Sequence, residues 1–125
     1  MPIAFTDREL DVMNVLWERG SATVAEVRAD LADDLAYTTV LTVLRTLEEK
    51  GYVSHIEEGK AHRYAPLVER QAAGQSAVRR LVEKLFRGSP EALLTHLVND
   101  RSLSEDDLRR MRRMLDDRMK EEGKR

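Results

Sequence analysis

One short stretch of the sequence combines small hydroxyl side chains with a single arginine at helical spacing. Thr38, Thr42 and Arg45 follow one another at intervals of four and three residues, which places them on one helix face, with Thr39 and Thr46 beside it. A threonine hydroxyl donates and accepts hydrogen bonds, and its methyl group suits the thymine methyl group. An arginine can reach a guanine edge or a phosphate. This combination favours contact with DNA over catalysis.

The same pattern also fits an ordinary solvated helix face. In that interpretation the threonine hydroxyls bond back to carbonyl groups one turn earlier and contact nothing else. The residues of this face, taken alone, support the two interpretations equally. The elements on either side of the stretch favour DNA contact, because they complete a known DNA-binding arrangement.

Three further cations lie close to this stretch in the sequence. Lys50 at the end of the helix is expected to contact a phosphate or to complement the helix dipole. Lys60 and Arg63 lie in a predicted hairpin, from which they would reach an adjacent phosphate or the minor groove. Glu57 and Glu58 beside them fit a simple surface hairpin equally well. The predicted DNA contacts are Tyr37, Thr38, Thr39, Thr42, Arg45, Thr46, Lys50, Lys60 and Arg63.

Residues that could support catalysis or bind a metal are sparse. The 125-residue chain has no cysteine, which excludes thiolate nucleophiles and cysteine-based metal sites. His55 and His62 could face each other across the hairpin, where two histidines are more often packing partners than metal ligands. His96 lies among leucines and is expected at a helix interface. No Ser-His-Asp set, glycine-rich phosphate loop or carboxylate pair is evident, so we predict no enzyme activity, metal site or cofactor.

The elements around the threonine-rich stretch follow from the hydrophobic pattern. Thr6 and Thr23 each begin a Thr-x-x-Glu capping box followed by apolar residues at helical spacing, which predicts two helices. A third helix is predicted over 37–50. Two short strands at 52–56 and 61–65 flank a turn that contains glycine. Three helices and a hairpin are typical of a winged helix-turn-helix, whose third helix enters the major groove.

The rest of the chain is predicted to be three helices with leucine- or methionine-rich stripes. A bundle of about 55 residues buries too small a fraction of its surface to be stable alone. A second copy related by a twofold axis would cover these stripes and form a homodimer. The residues expected at this interface are Leu81, Leu85, Leu94, Leu97, Leu108, Met111, Leu115 and Met119. We therefore predict a mainly α chain, with a winged-helix DNA-binding domain over 1–66 and a helical dimerisation domain over 67–125.

Charge is distributed unevenly between these two predicted domains. Residues 1–66 carry seven lysines and arginines against twelve acidic residues, whereas residues 67–125 carry fourteen against eleven. A DNA-binding surface in the first part must therefore depend on where its cations lie, and not on the total charge. The same acidic balance supports a competing interpretation, a protein-interaction module with a degenerate winged-helix domain.

The sequence gives no indication of a secreted or membrane location. Its first residues, MPIAFTDREL, lack the basic region and apolar core that are typical of a signal peptide. No apolar run approaches the roughly 20 residues that a membrane-spanning helix needs. We therefore predict a cytoplasmic protein.

Several segments together resemble the penicillinase and methicillin-resistance repressors, the BlaI/MecI family. They are ELDVMNVLW in the first predicted helix, AYTTVLTVLRTLEEKGYV around the third, GKAHRYAP in the hairpin and LSEDDLRRMRRML in the tail. The resemblance covers nearly the whole chain. It implies a homodimeric winged-helix repressor that binds a palindromic operator and blocks transcription. The third helix would be the recognition helix, and the tail would be the dimerisation domain.

The resemblance also implies a route of inactivation. In this family a membrane sensor often triggers proteolysis of the repressor's C-terminal part, at an Asn-Phe bond in the best-known members. His96 and Leu97 align with that bond here, so the chain departs from the family pattern at the cleavage position. Copper-responsive relatives carry a cysteine-rich site, and this cysteine-free chain is not expected to sense copper in that way.

Overall fold

A computed structural model of the chain describes residues 3–124. Within that range the helices are α1 (Asp7–Arg19), α2 (Val24–Asp30), α3 (Tyr37–Glu49), α4 (Arg70–Lys84), α5 (Pro90–Val98) and α6 (Glu105–Gly123). The strands are β1 (Ala22–Thr23), β2 (Val53–Glu58) and β3 (Ala61–Pro66), which form one antiparallel sheet in the order β1-β3-β2. The predicted mainly α fold with a β-hairpin wing is confirmed. None of the described helices combines the length and the hydropathy that a membrane span requires.

Both predicted capping boxes are present. The Glu9 amide donates to Thr6 Oγ1 at 3.1 Å, and the Thr6 amide donates back to the Glu9 carboxylate at 2.8 Å. Thr23 and Glu26 make the same reciprocal pair at 3.2 and 2.9 Å. Each box satisfies two amides that the helix itself leaves without partners, so the starts of α1 and α2 are fixed locally.

The sheet contains a strand that the sequence pattern did not predict. β1 has only two residues, too few for an alternating pattern to be visible. It exists because its backbone pairs with β3, with Ala22 opposite Tyr64. Both side chains are buried, so β1 fastens the base of the wing to the helical core.

The core of the winged-helix part lies between α1, α2, α3 and the sheet. Each of these elements contributes large side chains that are almost fully buried: Val12, Met13, Leu16, Val27, Val40, Leu44, Leu47, Val53 and Tyr64. Burial of three apolar residues of α3 holds this helix against the core by one face. The opposite face, which carries most of the threonines, is consequently left in solvent.

The chain divides into two compact units at the Arg79–Arg80 bond, inside α4. The first unit extends past residue 66 because the segment after β3 makes specific contacts with it. Trp17 Nε1 donates to the Val68 carbonyl at 2.8 Å, and the Ile3 amide donates to Ser76 Oγ at 3.1 Å. The roles assigned to 1–66 and 67–125 remain predictions.

The second unit consists of the end of α4 with α5 and α6. Ser89 caps α5, and Ser104 begins a capping box with Asp107. No described residue beyond Arg79 is buried in the single chain. The helices of this unit are therefore well formed locally, but they leave much apolar surface in water.

Candidate nucleic-acid interface

The outward face of α3 carries the predicted contact residues. Thr38, Thr39, Thr42 and Arg45 are exposed, and Thr46 is half-buried. Because the apolar residues of α3 face the core, these side chains are directed away from it as a group. The structure thus brings five of the nine predicted residues together on one surface.

The threonine hydroxyls on this face are used in two ways. Thr42 Oγ1 donates to the Thr38 carbonyl at 2.9 Å, and Thr46 Oγ1 donates to the Thr42 carbonyl at 3.0 Å. This is the backward bonding of the alternative interpretation. It uses the hydroxyl proton but leaves the oxygen lone pairs and the methyl group available. The hydroxyls of Thr38 and Thr39 have no hydrogen-bond partner within residues 3–124.

The N-terminus of α3 differs from those of α1 and α2. Ala36 occupies the capping position, and no side chain accepts from the first-turn amides. Uncapped amides at the positive end of a helix dipole bind phosphate oxygens well. Tyr37 is the first residue of α3 and is exposed, so its side chain lies at this same end. This end of α3 can therefore hold an anion.

The two cations of α3 and its C-terminus have different surroundings. Arg45 makes no hydrogen bond or ion pair with any described residue. Lys50 Nζ lies 2.8 and 3.0 Å from the two carboxylate oxygens of Glu9, which is buried. Burial alone would raise the pKa of Glu9, but hydrogen bonds from Lys50 and Thr6 and the charge of Lys50 outweigh it, so this pKa is lowered.

The two cations of the wing also differ. Lys60 lies in the turn between β2 and β3 and is exposed. Arg63 directly precedes the buried Tyr64 on β3, so its side chain lies on the opposite sheet face, away from the core. There it pairs with Glu26 at 3.1 Å and with Glu58. The hydrogen bond with Glu58 is the main reason why the pKa of Arg63 is raised. Arg63 therefore ties β3 to α2 and to the end of β2.

A histidine of the wing contacts α3 through a residue absent from the predicted set. His55 Nδ1 lies 2.8 and 2.7 Å from the two carboxylate oxygens of Glu48. The His62 ring stacks on the His55 ring, with centroids 4.4 Å apart and planes inclined by 14°. The expected packing of the two histidines across the hairpin is present. Among residues 3–124 no group of three or more potential ligands could hold a metal ion.

Glu48 could have been found from strand alternation. His55 lies two residues after the buried Val53, so both share the sheet face that packs on the helices. A polar side chain on that face requires a polar partner on a neighbouring element. Glu48 follows the buried Leu47 near the end of α3 and supplies that partner.

The residues predicted for dimerisation all lie in the second unit. Met111 is half-buried there, and the other seven are exposed in the single chain. Exposure is largest for Met119 at 70% and Leu85 at 66%. Such an apolar surface is unusual for a soluble monomer.

Known proteins resemble the chain both in sequence and in structure. Residues 5–117 match the penicillinase repressor family. The chain is 42% identical over 96 residues to the transcriptional regulator BlaI of Mycobacterium tuberculosis, covering 74% of this chain and 70% of that protein. It is 24% identical over 109 residues to the methicillin resistance regulatory protein MecI of Staphylococcus aureus, covering 86% and 89%.

The solved structure of the DNA-binding domain of the repressor BlaI superposes with a TM-score of 0.52 and 30% identity, covering 58% of this chain and 90% of that domain. Its coverage agrees with the winged-helix part of the fold. The family match runs further, through both compact units. The chain therefore belongs to the penicillinase repressor family.

Proposed function

We propose that this protein is a DNA-binding transcriptional repressor that inserts α3 into the major groove of an operator. The observation that carries the proposal is the outward face of α3, where an unpaired Arg45 lies among exposed threonines. The likeness to a domain described as the DNA-binding domain of BlaI supports it. A chromosomal operator would require the protein to act in the cytoplasm.

Different parts of this surface suit different parts of the DNA. Tyr37, Thr38 and Thr39 surround the uncapped helix end, which suits a phosphate. Thr42, Arg45 and Thr46 lie further along α3 and would read base edges. Lys60 would reach a phosphate from the wing. Lys50 and Arg63 would first have to leave their carboxylate partners, so we assign them a smaller share of the binding.

The repressor would bind as a homodimer through its second unit. Exposed apolar residues from the end of α4, α5 and α6 provide a surface that a second copy would cover. Two copies of α3 would then read the two halves of a palindromic operator. Occupation of the operator would block transcription. In this scheme 1–66 recognises DNA and 67–125 dimerises.

Release of DNA by a membrane sensor-protease pathway would require opening of α5. The His96–Leu97 bond that aligns with the family's cleavage position lies inside α5, which runs over Pro90–Val98. A protease cleaves a helical bond only when the helix opens locally. Proteolysis at this bond would therefore depend on how readily α5 unfolds.

A protein-interaction module is the second candidate. One observation favours it: Lys50 and Arg63, two of the four cations expected near DNA, are paired with acidic residues of the same unit. In that case the helical tail would carry the function and α3 would not discriminate between DNA sequences.

Selection of duplexes from a randomised DNA pool, followed by fluorescence anisotropy titrations at several salt concentrations, separates the two candidates. The repressor should prefer the selected duplex over a scrambled one and show a steep salt dependence. Arg45→Ala should weaken binding to the selected duplex by about 1–3 kcal/mol. Arg101→Ala, which removes an exposed arginine from the second unit, is the matched control and should have no effect. Equal affinity of the wild type for both duplexes would exclude the repressor.

A further inference from the structure

Glu48 places an acidic group beside the arginine that is proposed to read DNA. The two residues are three positions apart on α3, a spacing at which arginine and carboxylate side chains pair. The same order and spacing produce an ion pair in α1, where Arg8 Nη1 lies 3.5 Å from Asp11 Oδ2. Arg45 nevertheless has no such partner among the described residues. The Glu48 carboxylate therefore has a different partner.

His55 contacts the Glu48 carboxylate. Its Nδ1 lies within 2.8 Å of both carboxylate oxygens. A carboxylate accepts hydrogen bonds, so this contact suits the His55 tautomer whose proton is on Nδ1. The bond joins β2 of the wing to the last turn of α3, because Glu48 is the next-to-last residue of that helix.

The His55 ring is itself held in place by its neighbours. The His62 ring is stacked on it, and the Tyr64 ring centroid lies 5.3 Å away. His62 and Tyr64 lie on β3, whose pairing with β2 fixes their positions relative to His55. Tyr64 is buried. The ring that binds Glu48 therefore cannot turn away without disturbing the base of the wing.

We infer that His55 is a positioning residue for DNA recognition, which binds the Glu48 carboxylate and thereby keeps the Arg45 guanidinium available for the operator. This inference rests on the proposed function, because it assigns a cause to the availability of Arg45. It also gives the wing a role in recognition that is separate from its own contacts with phosphate.

Glu49 is the other acidic residue that could compete for Arg45. It lies four positions after Arg45 and is exposed. An arginine followed by a glutamate at this spacing is the weaker of the two possible orders. Glu49 makes no hydrogen bond or ion pair with His55, so it provides a matched control for Glu48 on the same helix turn.

The experiment measures affinity for the duplex that wild-type protein selects from a randomised pool. His55→Ala releases Glu48 to pair with Arg45 and should weaken binding about tenfold. Adding Glu48→Gln to H55A should restore most of the lost affinity, whereas adding Glu49→Gln should not. In the R45A background, H55A should cause no further loss, because the residue that His55 protects is absent.

Two results would overturn the inference. One is a loss from H55A that is as large in the R45A background as in the wild type, and the other is rescue by E49Q but not by E48Q. If circular dichroism shows that H55A does not fold, the DNA affinity of the single variant E48Q tests the inference instead. That variant keeps an acceptor for His55 without a competing charge, so binding more than about threefold weaker than wild type would contradict us.

Failure of the proposed function gives a different pattern. If the wild type binds the selected and the scrambled duplex with equal affinity, the proposed function itself is wrong. If the wild type prefers the selected duplex and R45A keeps that preference, Arg45 does not read DNA, and the role of His55 is rejected while the repressor stands. If R45A is impaired while H55A binds as the wild type does, only the role of His55 is rejected.

Discussion

At the scale of single residues, the buried Glu9 carboxylate and its partner Lys50 form one of the ion pairs that hold the winged-helix part together. Glu9 accepts the Thr6 amide in a capping box and also two contacts from Lys50, so its buried carboxylate is fully used. The pair joins the start of α1 to the end of α3. Lys50 therefore stabilises the packing of the helix that carries Arg45.

Lys50→Met should destabilise folding by about 1–3 kcal/mol, because it leaves the Glu9 carboxylate buried without its cation. Urea unfolding followed by circular dichroism measures this change. Lys60→Met is the control, since Lys60 is exposed in the turn and should affect stability little. In DNA titrations the order of the two effects is opposite. K60M should lower the slope of log affinity against log salt concentration by about 1, and K50M should lower it less. If K50M is as stable as the wild type and has a clearly lower salt slope, Lys50 contacts DNA and does not mainly stabilise the fold.

Glu9 should also make folding stability depend on pH. Its pKa is lower in the folded protein than the ordinary value of 4.5, so the folded state binds this proton less readily than the unfolded state. The stabilisation is complete above pH 4.5 and decreases as the pH falls through the lower folded value. Urea unfolding at a series of pH values should show a steeper acid decrease for the wild type than for Glu9→Gln. Parallel curves would show that another carboxylate is responsible.

At the scale of one element, α3 carries a surface that is poor for helix stability. Its β-branched threonines lose rotamer freedom in a helix, and two of them bond back to carbonyls of the preceding turn. The buried apolar face compensates by packing against α1, α2 and the sheet. Alanine or long charged residues on the outer face would give a more stable helix than threonine does.

Thr42→Ala should therefore raise stability slightly, by up to about 0.5 kcal/mol, while it weakens DNA binding. Thr95→Ala in α5 is a close control, because Thr95 is exposed and its Oγ1 donates to the Glu91 carbonyl at 2.8 Å. It should give a similar change in thermal unfolding with unchanged affinity for the selected duplex. Equal DNA affinities of T42A and the wild type would leave Thr42 with no part in recognition.

At the scale of the whole molecule, the two compact units differ in how much of their apolar surface a single chain buries. The first has a closed core of almost fully buried side chains. The second has no buried residue within the described part of the chain beyond Arg79. Its helix caps and helical ion pairs fix the helices locally, but local bonds contribute little to the stability of a bundle. In the proposed homodimer, association with a second copy would supply the missing burial.

Leu115→Lys should convert a dimer into a monomer, because it places a charge in the proposed apolar interface. Sedimentation equilibrium at micromolar concentration measures the molecular mass, and affinity for a palindromic duplex should fall with it, since the two half-sites are no longer bound together. Asp116→Lys adds the same side chain one residue further on α6, on a different face, and should remain dimeric. A wild-type protein that is a folded monomer would contradict the dimer outright.

Local features of this protein were readable from the sequence. The Thr-x-x-Glu boxes, the apolar stripe of α3 and the glycine-containing turn of the wing depend on residues within one or two turns of each other, and the structure has all of them. The resemblance to the penicillinase repressors was also correct, since it depends on motifs spread along the whole chain. The exposure of the face that carries Thr38 and Arg45 follows from the stripe on the opposite side.

Only the tertiary structure decided which charged residues remain available. Lys50 and Glu9 are 41 positions apart, and Glu48 and His55 belong to a helix and a strand whose contact depends on how the wing packs. Arg63 pairs with Glu26 because β1, which no pattern revealed, brings α2 beside β3. A charge in the sequence has no fixed partner, because long side chains pair with whatever the fold places within about 4 Å. The sequence alone therefore predicted the helix that is proposed to meet DNA, whereas the fold decided that Lys50 has a carboxylate partner and that Arg45 has none among the described residues.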